Sequence, residues 1–138
     1  MSLLVVGTVA FDAIETPFGK TDKIIGGAAT FISLAASYYT KKIHLVSVIG
    51  GDFPKDGIDL LHNHSVNTEG LQIRQNEKTF FWSGKYHNDM NTRDTIATEL
   101  NVLADFDPVL PDSYKDCEYI MLGNLTPKVQ MRVLDQLR

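Results

Sequence analysis

Three short apolar runs, each leading into glycine, restrict the fold more than any other feature of this chain. They are Leu3 to Thr8 with Gly7, Ile43 to Ile49 before Gly50-Gly51, and Tyr119 to Leu122 before Gly123. Strands covered on both faces read as continuous apolar runs, whereas half-exposed strands alternate, so these runs predict a parallel sheet between helical layers. The intervening segments supply the helices. Ala28 to Tyr39 places Ala28, Phe31, Ile32, Ala35 and Tyr39 at helical spacing. Pro54 suits the first turn of a second helix, with Ile58, Leu60, Leu61 and His64 as its inner face, and Val66 to Ile73 follows as a strand. After the last run, Thr126 is an N-cap and Pro127 a first helical residue, with Val129, Val133, Leu134 and Leu137 turned inward.

Two segments interrupt this order. Residues 14–25 carry Pro17 and Gly19 between short extended pieces. Residues 78–101 alternate, with Phe80, Trp82 and Tyr86 on one face and Phe81, Ser83 and Lys85 on the other, and residues 88–93 are expected as a turn or flexible loop. Both segments are predicted to build a small second layer. The last helical pattern runs to Arg138 with its apolar face intact, and so few parallel strands would leave a sheet edge uncovered. The chain is therefore expected to be the front part of a longer domain, or to need another chain to complete it.

Thirteen basic residues against seventeen acidic ones, and a net charge of −4, leave no excess to neutralise phosphates, so no nucleic-acid partner is expected. Cys117 is the one cysteine, which excludes an intrachain disulfide and reads as a buried structural thiol in a reducing compartment. No apolar run reaches the ~18 residues of a membrane span. No membrane partner and a cytoplasmic location are the resulting expectations.

Ligands of open parallel sheets bind beyond the carboxyl ends of the strands. Four features fall at such ends: Gly7 to Asp12, Gly26-Gly27, Gly50-Gly51-Asp52 and Gly123-Asn124. Asp12 is either a turn residue or a carboxylate that accepts hydrogen bonds from adjacent hydroxyls of a polyol. Gly26 and Gly27 offer bare backbone that serves as ligand contact and hinge, or as a tight strand-to-helix turn. Asp52 reads as the cap of the next helix. His44, His62, His64 and His87 have no metal-ligand spacing, and no metal site is expected. Trp82 and Tyr86 are core, subunit interface or a stacking surface for a ring.

In order along the chain, V-V-G-T-V-A-F-D, I-I-G-G-A-A-T-F-I-S-L-A-A-S, H-L-V-S-V-I-G-G-D-F-P-K-D-G and H-S-V-N-T-E-G-L resemble the amino-terminal half of the ribokinase-like, or PfkB, carbohydrate kinases. The resemblance implies a three-layer α/β/α sandwich with a small β-sheet lid, and transfer of the γ-phosphoryl of ATP, with Mg2+, to a hydroxyl of a sugar. Asp12, Gly26, Gly27, Thr30, Phe31 and Asn124 would lie at the substrate, and Phe81, Trp82 and Tyr86 in a lid formed by residues 14–25 and 78–101. Where the family pattern G-G-x-x-x-N places asparagine this chain has Phe31, and Ala10 replaces the asparagine two positions before Asp12. The loss of two polar contacts disfavours ribose, and the apolar Phe31 suggests a different or more apolar acceptor.

The family's G-A-G-D motif, which carries the catalytic aspartate, and its N-x-x-E motif are absent from residues 1–138. The resemblance thus implies the substrate-binding half of a sugar kinase, inactive alone, with most ATP and Mg2+ contacts outside this sequence. The alternatives are a nucleoside kinase of the same fold and a non-catalytic sugar-binding or regulatory module. Clustered aromatics at residues 80–86 suggest a homodimer formed through the lid.

Overall fold

A computed structural model describes all residues, Met1 to Arg138. Strand β1 (Leu3–Val6) lies between β5 (Ile43–Gly50) and β9 (Tyr119–Leu122), with β6 (Val66–Arg74) beyond β5, and every pairing in this four-stranded sheet is parallel. Neighbouring residues of one strand serve opposite cores, as the unalternating runs require. Val5, Leu45 and Ile49 pack on one face with Phe53, Leu61 and Leu71, while Leu4, Val6, Val46 and Val48 pack on the other with Tyr114, Phe106 and Val133.

Helices α1 (Ala28–Ala36) and α2 (Lys55–Asn63) contribute to the first core, and α3 (Pro127–Leu134) with two short 3-10 turns to the second. Three layers result. On β9 the covering is one-sided: Ile120 and Leu122 join the second core, but Tyr119 and Met121 are exposed, because no helix lies over this edge strand on the other face.

The remaining strands form a separate mixed sheet. Its order is β3 (Gly19–Lys20), β2 (Ala10–Thr16), β7 (Phe81–Tyr86) and β8 (Arg93–Glu99), and β4 (Ile24–Gly26) also pairs with β2. Only β2 and β7 run parallel; the other pairs are antiparallel. The second layer therefore begins at Ala10, ahead of the expected residue 14, and carries Asp12 within a strand. The period of two sets its faces. Phe11 packs on Phe53 of the first core, with ring centroids 5.6 Å apart, and its ladder partner Phe81 packs there too. Asp12 and its partner Trp82 turn the other way.

Several sequence expectations change in detail. Helix α1 ends at Ala36, and its buried residues are Ala29, Thr30 and Ser33, while Phe31 and Tyr39 are exposed. Small residues face inward because the helix start presses against the end of β1, where Ala29 N–H donates to the Thr8 carbonyl at 2.9 Å. Pro54 is the N-cap of α2 and not its first residue. Thr126 caps α3 by position without a side-chain hydrogen bond, and Leu134 is exposed. Cys117 is half-buried beside the second core, and burial pushes its thiol pKa up.

Asp52 caps no helix. Its Oδ1 accepts from the Thr79 N–H at 2.8 Å and the Thr79 hydroxyl at 2.7 Å, and the same hydroxyl accepts from Gly50 N–H at 3.0 Å. The Thr79 carbonyl accepts from Asn101 Nδ2 at 3.0 Å. Thr79, 1% exposed, thus fixes the entry to β7 against the end of β5.

Candidate functional site

A cleft of about 380 Å³ opens between the carboxyl ends of β1 and β9, the start of α1 and the second sheet. Its lining comprises Thr8, Asp12, Gly27, Ala28, Phe31, Phe80, Trp82, Tyr86, Arg93 and Asn124. The floor is a hydrogen-bond chain that joins three elements. Ala28 N–H donates to the Thr8 hydroxyl at 3.1 Å, and that hydroxyl donates to Asn124 Oδ1 at 3.0 Å. Thr8 N–H reaches the same oxygen at 3.3 Å. The first free amide of α1 is thereby satisfied from β1 and not by its own N-cap residue, Gly27.

Gly27 occupies φ +96°, and a Cβ there would overlap the Thr8 carbonyl oxygen. Only glycine fits this turn without strain. Gly26 leaves room of a different kind, because a Cβ on it would collide with the Asp12 carboxylate. The glycine pair thus admits both the close approach of α1 to β1 and the side chain of Asp12. Burial raises the Asp12 pKa above its ordinary value, partly offset by the Gly27 N–H, which favours the charged form.

Asp12, Gly27, Phe31, Asn124, Trp82 and Tyr86 meet in this cleft. Three other expected site residues do not line it. Thr30 is 2% exposed, and its hydroxyl donates to the Gly26 carbonyl at 2.8 Å, so it secures the first turn of α1 from behind. Gly26 lies beneath Asp12, and Phe81 faces the core with Lys23 Nζ 5.1 Å from its ring centroid. Gly50 and Gly51 sit elsewhere, against the backbone of residues 75–79, which a Cβ on either would strike.

Ala28, Phe80 and Arg93 join the lining without a sequence signal that singles them out, and Thr8 does so from within the Gly7 to Asp12 stretch. A threonine after a strand's glycine is a weak signal by itself, and Arg93 was absorbed into the predicted turn. Phe31 is 58% exposed at the cleft, which separates it from the buried stripe of its own helix. No group of three or more His, Cys, Asp or Glu side chains converges as a metal site.

The arrangement has three chemical parts. Asp12 and Asn124 offer hydrogen-bonding groups, four aromatic rings offer faces for stacking, and Arg93 supplies a cation. No protein-family model matches the chain. Its sequence is 28% identical over 139 aligned residues to a cytidine kinase of Thermococcus kodakarensis, covering all of this chain and 49% of that protein. A nucleoside kinase of the ribokinase family from Methanocaldococcus jannaschii superposes with a TM-score of 0.74 at 19% identity, over 99% of this chain and 49% of its own. A ribokinase from Cryptococcus neoformans in complex with ADP gives 0.71 at 20% identity, over 96% and 44%.

The fold is ribokinase-like. The chain spans about half the length of the curated relative and of these ribokinase-like structures. The ribokinase-like core and its accessory sheet meet at the cleft, where Asp12 and Trp82 come from the accessory sheet and Thr8 and Asn124 from the turns that follow β1 and β9 of the parallel one.

Proposed function

We propose that this chain is the acceptor-binding half of an ATP-dependent kinase, and that the acceptor is a nucleoside. The observation that carries the reading is the composition of the cleft: Phe31, Phe80, Trp82 and Tyr86 surround a site with one carboxylate. An ionised carboxylate accepts hydrogen bonds from two neighbouring hydroxyls, which a ribose ring presents. Aromatic rings offer a planar base more contact than a free sugar can use. The kinship with a cytidine kinase supports the same reading, although the sequence alone put a sugar first.

In the complete enzyme ATP is the phosphoryl donor, a reading supported by the ADP held by the ribokinase neighbour, with Mg2+ neutralising the phosphates. Residues 14–25 and 78–101, together with Ala10 to Asp12, act as the lid, and Gly26-Gly27 as its hinge. Closing it over the acceptor would exclude water from the transfer. This chain orients the acceptor but carries no group assigned to deprotonate it, so it binds without phosphorylating. The single cysteine fits a reducing, cytoplasmic setting.

Calorimetric titration of the chain with cytidine, uridine, adenosine, ribose and fructose tests the assignment. Binding of nucleosides with little or no heat from the free sugars is the expected result. Saturable binding of a free sugar alone would return the protein to the sugar kinases, and binding of none would remove the acceptor role.

A further inference from the structure

The cleft contains two charged side chains, Asp12 and Arg93. Three of the four arginines are held by carboxylates: Arg74 by Asp105 and Glu77, Arg132 by Asp107, and Arg138 by Asp112 and Asp116. Arg93 has no such partner. The adjacent Asp94 is taken by His87, whose Nε2 lies 2.8 Å from Asp94 Oδ2. The Arg93 guanidinium instead lies over the Trp82 ring, with Cζ 5.8 Å from the centroid. Its N–H donors are left for something that enters the cleft.

Strand pairing sets where the Arg93 backbone stands relative to Asp12. Asp12 is opposite Trp82 in the β2/β7 ladder, and Arg93 is opposite Tyr86 in the β7/β8 ladder. From Trp82 to Tyr86, β7 advances roughly 13 Å at about 3.3 Å per residue. The Arg93 side chain reaches back from there over the Trp82 indole, the ladder partner of Asp12, so guanidinium and carboxylate both lie about that residue in the cleft. A nucleoside with its ribose hydroxyls on Asp12 and its base beside the Trp82 indole would bring an edge of that base to the guanidinium.

We propose that Arg93 is a specificity-determining residue that selects bases with two adjacent hydrogen-bond acceptors, cytosine foremost. This assignment rests on the nucleoside reading of the cleft. A guanidinium presents its N–H groups as a planar fork suited to a pair of acceptors. Cytosine offers such a pair in N3 and O2. Uracil places an N3–H donor between its carbonyls and cannot satisfy both prongs. Guanine offers N7 and O6, the pair that arginine reads in nucleic acids, whereas adenine sets an amino group beside N7. Trp82 beneath the guanidinium holds the fork flat, as a cation over an indole face.

The test is calorimetric titration of the wild-type chain, Arg93→Ala and Arg93→Lys with cytidine, uridine and gluconate. Arg93 is exposed, so both variants are expected to fold, and matching far-UV circular dichroism and melting curves check this. Wild type is expected to bind cytidine roughly tenfold or more tighter than uridine, the ratio of one good bidentate pair. Arg93→Ala collapses that ratio to within about threefold, and Arg93→Lys, a point charge without the fork, fails to restore it. Wild-type binding of both nucleosides without preference, or an unchanged ratio in Arg93→Ala, overturns the assignment and leaves the nucleoside reading intact. Gluconate binding lost in Arg93→Ala, with no nucleoside bound, overturns both.

Discussion

At the scale of single residues, Asp12 combines the proposed binding role with a cost to the fold. Burial disfavours its carboxylate, so its folded pKa lies above the ordinary value of 3.8. A raised carboxyl pKa means that the favourable contribution to stability is complete below the unfolded pKa and is lost as pH rises through the folded one. At pH 7 the ionised group therefore weakens the fold. Asp12→Asn is expected to melt at or above the wild-type temperature at pH 7, with the difference narrowing as pH falls towards 4. Nucleoside affinity of the same variant should fall about tenfold or more, since hydrogen bonds to a charged group are worth roughly 1.5–3 kcal/mol. Thermal melts across pH, with calorimetry at pH 7, check both halves. A variant that lost stability and binding together would make Asp12 a structural residue.

At the scale of elements, the entry to β7 is held by a small polar knot and not by the ladder alone. Asp52 Oδ1 accepts from both the backbone and the hydroxyl of Thr79, one residue before the cleft residue Phe80. Asp52→Ala leaves a buried N–H and hydroxyl without that acceptor, at an expected cost of about 1–3 kcal/mol. Asp52→Asn keeps an acceptor oxygen and should lose less. Urea denaturation of both variants measures the difference, and equal stability for wild type and Asp52→Ala would show that the knot is idle. Pattern reading assigned Asp52 to a helix cap because an acidic residue just before a helix does that work most often. Its true partner lies 27 positions away in sequence, beyond the reach of local rules.

At the scale of the whole molecule, the two sheets share one cleft but differ in how they are covered. The aromatics that suggested a lid-mediated dimer are already engaged, with Phe80, Trp82 and Tyr86 at the cleft and Phe81 on the core. Other exposed apolar groups of the accessory layer, among them Phe18 at 84% and Ile96 at 60%, remain to support self-association there. Light scattering after size exclusion is expected to give twice the 15.4 kDa of one chain at micromolar concentration, and Ile96→Lys to return the monomer. A wild-type monomer would dismiss the lid dimer. Dimers that persist in Ile96→Lys would direct attention to the uncovered face of β9, where Tyr119 and Met121 are exposed. No helix of the chain is long and apolar enough to cross a membrane.

What the sequence determined was local or periodic. Apolar runs specified doubly covered strands because a buried backbone with apolar side chains on both faces has few other solutions. Alternation in residues 80–86 specified which aromatics share a face, because side chains in a strand must alternate. The ordered glycine motifs carried the resemblance to the ribokinase-like fold, and with it Asp12, Gly27 and Asn124. Only the tertiary structure decided how those pieces meet. It turned small residues of α1 inward and Phe31 outward, since the helix start had to press against β1. It moved Asp52 and the second glycine pair away from the cleft. It also left Arg93 as the one arginine without a carboxylate, beside Trp82. Whether a charged side chain is satisfied depends on neighbours far along the chain, and that information exists only once the sheets have paired.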